Sequence, residues 1–213
     1  MTEEKDKKLD KVKIALLGST GVGKTCIIKR YAEDTYEEDG ISTPGGCYYE
    51  KIITINEKKL KIELWDTAGQ EKYRALGKHF YKDAYIVCLV YDITKESSFE
   101  DLKNIWYNDL INNGAEYNIL AVVGNKSDDF ENEQIKEEKA REYAEKINAS
   151  YFLTSAKTGD GIDKLFENAC GIYLDPNFLN KINNLMDDRN RTVSFRLKKQ
   201  GKKSKGGSCC LNK

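Results

Sequence analysis

The chain has 213 residues, 39% of them hydrophobic, with 35 basic and 35 acidic side chains, a length that suits one domain plus a tail and is ample for a core. The neutrality is a sum of unlike parts: from Arg196 onward there are seven basic residues and no acidic ones, leaving 28 basic against 35 acidic before it, a net of −7. A mildly acidic body argues against a nucleic-acid-binding domain, and a basic tail suits an anionic surface.

In chain order, residues 1–8, "MTEEKDKK", read as a disordered lead with no apolar core of a signal peptide. No run of 18 apolar residues follows anywhere, so no spanning helix is expected. "VKIALLG" from Val12 is short and continuously apolar, as a strand buried on both faces should be. "GSTGVGKT", Gly18 to Thr25, comes next and opens a helix. It fits G-x-x-x-x-G-K-[ST], the phosphate-binding loop. Glycines at 18, 21 and 23 let backbone N–H groups wrap around phosphates, Lys24 adds a positive charge at the β/γ-phosphates, and the helix N-terminus behind favours anions. The Thr25 hydroxyl is placed to hold Mg²⁺. The competing reading is a glycine-rich turn that matches by chance.

"YYEKIITI" and "LKIELW" flank "NEKK" and read as an antiparallel hairpin at the edge of a sheet, since Leu60, Ile62 and Leu64 alternate with Lys61 and Glu63. "DTAGQ" starts at Asp66, directly after that strand. Asp66 can hold Mg²⁺ through water, the Gly69 amide can reach a γ-phosphate, and Gln70 can orient an attacking water. "YIVCLVY" from Tyr85 is another buried strand. In "SSFEDLKNIWYNDLINNG", Phe99, Leu102, Ile105, Trp106 and Leu110 form one apolar helix face, with serines to cap the start and Gly114 to stop it.

"ILAVVG" from Ile119 leads into "NKSD", Asn125 to Asp128. A carboxylate at Asp128 can accept from the N1–H and 2-amino group of guanine, whereas adenine would leave it buried and unpaired. A helix placing Ile135, Ala140, Tyr143, Ala144 and Ile147 together follows, then the strand "SYFLTS". "TSAK" carries Ser155, Ala156 and Lys157, and the Ala156 amide can meet the guanine O6. "GIDKLFENACGIYL" closes the domain with Ile162, Leu165, Phe166, Ala169 and Cys170 on one face, ending before Pro176. Strand and helix alternate throughout, implying a doubly wound α/β domain over residues 9–174 and a flexible tail over 175–213. All four motifs sit just after strands, so they converge on the carboxyl edge of one sheet, where open α/β sheets bind ligands. Their order and topology identify a guanine-nucleotide site.

On these motifs, and on "KIELW", "KYRAL", "FYKDA" and "LVYDIT", the sequence resembles a Ras-superfamily small GTPase of the Rab branch. The resemblance implies the P-loop NTPase small G domain, a six-stranded, mostly parallel sheet with one antiparallel edge strand and helices on both faces. It implies GTP hydrolysis and a GTP/GDP switch in vesicle traffic. Its nucleotide set falls on Thr20, Gly21, Val22, Gly23, Lys24, Thr25, Cys26, Tyr36, Thr43, Gly69, Asn125, Lys126, Asp128, Ser155, Ala156 and Lys157. Thr43 resembles the switch threonine that joins Thr25 and Asp66 at Mg²⁺, and Gln70 the catalytic glutamine. Tyr48, Trp65 and Phe80 match an aromatic triad read by effectors. An exchange factor, a GTPase-activating protein, effectors and a GDP-dissociation inhibitor or escort protein are implied, with a monomer that binds no nucleic acid.

The chain departs from the family in "PGGCYY" after Thr43, in Thr20, where relatives carry glycine or serine near the γ-phosphate, and in Lys72 after "GQE". Of six cysteines, Cys26, Cys88 and Cys170 read as core residues and Cys47 as a loop edge, not a disulfide framework, so the compartment is reducing. Cys209 and Cys210 resemble a pair that receives two geranylgeranyl groups, which with the tail lysines would anchor the protein on the cytoplasmic face of an endomembrane, beside a cytosolic pool. Two alternatives stay open: a Ras-like signalling GTPase, and a GTP-binding adaptor with little hydrolysis. The lone His79 reads as a surface or packing residue, and Phe178, Leu179, Ile182, Leu185 and Met186 fall at helical spacing in the tail.

Overall fold

The apolar run at Val12 forms strand β1 (Asp10–Leu17), buried from Val12 onward except at Lys13. A parallel strand covered on both faces has no solvent side, which is why its residues do not alternate. The same holds for β4 (Ile86–Asp92), buried at every position, and for β5 (Ile119–Asn125), buried at all but Leu120. The computed structural model describes residues 9–37, 47–66, 81–112 and 119–178, within two compact units, Met1–Tyr173 and Leu174–Lys213.

β2 (Cys47–Ile55) and β3 (Lys58–Asp66) alternate in burial as an edge hairpin should. Their turn is the two residues Asn56 and Glu57, both left-handed at φ 48° and 64°, the mirror-type turn that matches strand twist. With β6 (Ser150–Leu153) they complete a six-stranded sheet of order β2-β3-β1-β4-β5-β6. β2 is antiparallel to β3 and every other pair is parallel. In register, Ile14 of β1 lies between Leu64 of β3 and Ile86 of β4.

Because strand side chains alternate, the central strands bury two faces. On one, Ala15, Leu17, Val87, Leu89, Tyr91 and Val122 pack with Phe99, Leu102, Trp106 and Leu110 of the helix α2 (96–112) and with Ala140 and Ala144 of α3 (Glu137–Lys146). The other face is covered by α1 (Lys24–Glu33) and α4 (Ile162–Tyr173), joined where Tyr31 stacks on Phe166 at 4.0 Å between ring centroids. No helix among the described residues is long and apolar enough to cross a membrane.

Four details differ from the sequence reading. The α2 N-cap is Lys95, with no side-chain cap; Ser98 Oγ instead accepts from the Asp92 N–H at the end of β4 and donates to the Lys95 carbonyl. Ile135 packs into the core from ahead of α3 rather than from within it. Cys26 is only half-buried, while Cys88 and Cys170 are core residues as expected. The fourth is α2 itself, α-helical over Glu96–Asp101, π-helical over Leu102–Tyr107 and α-helical again over Asn108–Asn112.

Candidate functional site

The carboxyl ends of β1, β3, β4 and β5 bring Gly18, Asp66, Asp92 and Asn125 to one edge of the sheet, and Thr154 follows the end of β6 there. Two glycines of the loop after β1 are required by space. A Cβ on Gly18 would stand 2.3 Å from the Val90 carbonyl oxygen, and one on Gly23 (φ 94°) 2.2 Å from the Asn125 amide nitrogen.

Lys24 opens α1 and is only 5% exposed; its ammonium donates to the carbonyls of Gly18 at 2.8 Å and Ser19 at 3.0 Å. Burial lowers its pKa to about 8, against the pull of the Asp66 carboxylate, which favours the charged form. The Thr25 hydroxyl donates to Asp66 Oδ2 at 2.6 Å, and Asp66 is fully buried. A buried cation, a hydroxyl and a buried carboxylate thus meet at one end of the cleft. Burial also raises the Cys26 thiol, with Asp66 adding to the effect.

Asn125 joins that end to the other. Its amide donates to the Val22 carbonyl at 2.8 Å, and its Oδ1 accepts from the Ala156 N–H at 3.2 Å and the Thr154 hydroxyl at 3.3 Å. The Ala156 amide therefore already has a partner in Asn125. Lys126 is left-handed (φ 69°) and its ammonium lies 2.7 Å from Asp92 Oδ2. Asp92 Oδ1 accepts from the Thr94 N–H at 3.0 Å and its hydroxyl at 2.7 Å. The exposed Asp128 is oriented by Ser155, whose hydroxyl donates to Oδ1 at 2.5 Å. Arg30 reaches across from α1, donating to the carbonyls of Ala156 and Lys157, each at 3.0 Å.

Residues 13–173 match the Ras family. Relatives include human Ras-related protein Rab-22A, 39% identical over 158 residues (74% of this chain and 81% of that protein). Ras-related protein SEC4 of Candida albicans is 36% identical over 155 residues, 73% of each chain. Human Ras-related protein Rab-30 is 34% identical over 199 residues, covering 93% of this chain and 94% of its own. The chain belongs to the Rab family of small GTPases. This Rab binds GTP and GDP, hydrolyses GTP and serves as a switch in membrane traffic.

The structure brings together Thr20, Gly21, Val22, Gly23, Lys24, Thr25, Asp66, Asn125, Lys126, Asp128, Ser155, Ala156 and Lys157 of this Rab on one rim, with Cys26 one residue further into α1. Tyr36 lies beside the Arg30 guanidinium, 6.0 Å from it to the ring centroid. Tyr48 and Trp65 are register partners across the β2–β3 hairpin and meet edge to face at 5.1 Å, with Tyr48 43% exposed and its hydroxyl donating to Glu50. Thr43, Gly69, Gln70, Phe80, Cys209 and Cys210 lie outside the described residues, as do His79, Lys72 and the tail from Leu179. Sequence reasoning missed Arg30 and Asp92. The Arg30–Asp34 spacing of four on a helix was the visible signal for the first; Asp92 lies in "LVYDIT", a segment that pointed to the family without marking a role for this carboxylate.

Proposed function

We propose that this Rab holds its guanine nucleotide between the loop 18–25 and the segments 125–128 and 154–157, with Mg²⁺ at Thr25, Asp66 and Thr43. The observation that carries the reading is the cluster of Lys24, Thr25 and Asp66. A hydroxyl and a buried carboxylate 2.6 Å apart are hard oxygen donors of the kind that suits Mg²⁺, which keeps several waters and shares phosphate oxygens. When bound, that ion neutralises charge developing on the β/γ-phosphate oxygens. Lys24 and the amides of Gly21, Val22 and Gly23 hold the phosphates, Gln70 orients the attacking water, and Asp128 accepts from the guanine N1–H and 2-amino group.

The tests separate base from chemistry. Asp128→Asn should weaken GTP binding and improve binding of a xanthosine nucleotide, because the new amide donates to the extra carbonyl. Full GTP affinity in that variant would remove Asp128 from base recognition. Thr25→Asn should favour the GDP-bound or empty state, and Gln70→Leu should slow single-turnover hydrolysis. Hydrolysis at the wild-type rate in Gln70→Leu would favour the GTP-binding adaptor reading.

Unaided hydrolysis by a Ras-type GTPase is about 10⁻⁴ s⁻¹, and a partner's arginine adds about 10³–10⁵-fold, so an activating protein, an exchange factor and effectors at Tyr48, Trp65 and Phe80 belong to the reading. The family match over residues 13–173 supports reading a G domain at 9–174, and residues 175–213 are read as its membrane tail. Two prenyl groups on Cys209 and Cys210 would anchor that tail to an endomembrane, and a GDP-dissociation inhibitor or escort protein would carry the cytosolic pool. Cys→Ser at both positions should release the protein to the cytosol, since basic residues supply only about 1 kcal/mol each near an anionic surface. Salt-resistant membrane association of that variant would replace the lipid anchor with a protein receptor.

A further inference from the structure

The π-helical turn of α2 faces the phosphate loop. The Ser19 hydroxyl donates to Asp101 Oδ2 at 2.8 Å, and the Trp106 indole N–H donates to the same hydroxyl oxygen at 3.3 Å. Asp101 and Trp106 are five residues apart. In an α-helix, at 100° per residue, that spacing turns two side chains about 140° away from each other. In the i→i+5 register of a π turn they stand on the same side. Leu102–Tyr107 adopts that register, and it brings both side chains to one hydroxyl. Such turns are rare and tend to mark functional sites.

Ser19 is also the residue whose carbonyl accepts the Lys24 ammonium, and it precedes Thr20 in the loop. Resting on the GTPase reading of this site, we infer that Asp101 and Trp106 are positioning residues for GTP hydrolysis, acting through Ser19 on Lys24 and Thr20. Neither touches the phosphates. They fix the Ser19 side chain, the fixed Ser19 holds its carbonyl towards Lys24, and Lys24 is thereby held along the phosphate line. Small misplacements of a positioned charge are costly in rate, so loosening this support slows chemistry more than it weakens binding.

Single-turnover GTP hydrolysis and release of a fluorescent GDP are measured on the full chain with Asp101→Ala, Trp106→Phe and Asp101→Asn. Asp101→Ala and Trp106→Phe should each slow hydrolysis about 3–10-fold with GDP release changed less than twofold, a tenfold loss being about 1.4 kcal/mol in barrier. Asp101→Asn keeps an oxygen acceptor and should recover most of the rate. Ser19→Ala should match the Asp101→Ala, Trp106→Phe double variant, because all three act through one hydroxyl. Hydrolysis within twofold of wild type in both single variants overturns the inference, as does a fall in hydrolysis and nucleotide retention together. If the wild-type chain itself does not hydrolyse GTP, the GTPase reading fails first. The chain has two tryptophans, so in a Trp65→Phe background excited selectively at tryptophan, clear of the 13 tyrosines, Trp106 alone emits. Its emission should differ between GDP and a non-hydrolysable GTP analogue, and an identical spectrum in both counts against the inference even if the other variants fold poorly.

Discussion

The Arg30 guanidinium donates to the carbonyls of Ala156 and Lys157 on one side and, through Nη1, to the Asp34 carbonyl and carboxylate at 3.2 and 3.0 Å on the other. One planar fork therefore ties the segment after β6 to the end of α1, where Asp34 is left-handed at φ 54°. The chain then runs on to Tyr36, under the same guanidinium. Arg30→Ala should speed GDP release by on the order of tenfold, about 1.4 kcal/mol, with a smaller change in the hydrolysis rate of bound GTP. Arg30→Lys should recover little of it, since an ammonium cannot fork to two carbonyls. Stopped-flow release of a labelled GDP checks both. Gly23 offers a second test at this scale. Gly23→Ala would drive a methyl into Asn125 at a positive φ, and nucleotide binding should be lost before global stability, which calorimetry and a binding titration would separate.

Among the elements, the β2–β3 turn carries a removable strain. Asn tolerates the left-handed conformation at position 56, but Glu57 holds it without any such help. Glu57→Gly should raise stability by about 0.5–1 kcal/mol, seen as a higher urea midpoint at an unchanged slope. An unchanged midpoint would mean that the turn relaxes without cost. The hairpin itself was legible because Leu60, Ile62 and Leu64 alternate with polar residues, and β1, β4 and β5 because buried parallel strands leave uninterrupted apolar runs. The π turn was not. Leu102, Trp106 and Leu110 recur at steps of four, which an α stripe and a stripe with one widened turn satisfy equally. Likewise the loop motifs marked the site, while Arg30 and Asp92 reach it from a helix and a strand end whose local pattern reports only packing.

At the scale of the whole molecule, burial holds several weak acids neutral. The thiols of Cys88 and Cys170 are pushed up to about 12 from 9.0, and the phenols of Tyr143 and Tyr173 to about 12 from 10.0. The unfolded chain releases these protons near pH 9–10 while the folded chain keeps them to about 12, so their contribution is intact below pH 9 and lost as pH rises towards 12. Lys24, lowered to about 8 from 10.5, acts in the opposite sense between those values, but two thiols and two phenols outnumber it. The melting temperature should therefore fall steadily above pH 9, and a flat profile to pH 11 would contradict the burial argument. The same Asn125 side chain that bonds Val22 also bonds Ala156, residues separated by most of the domain. A ribosome making about 5–20 residues per second completes the intervening ~134 residues in roughly 7–27 s. For that interval the newborn chain displays the 18–25 loop without the segment after β6 that secures Asn125. A nucleotide added to stalled nascent chains should protect them from protease only once Ala156 and α4 have left the exit tunnel, which makes the ligand a late clasp on a nearly finished domain.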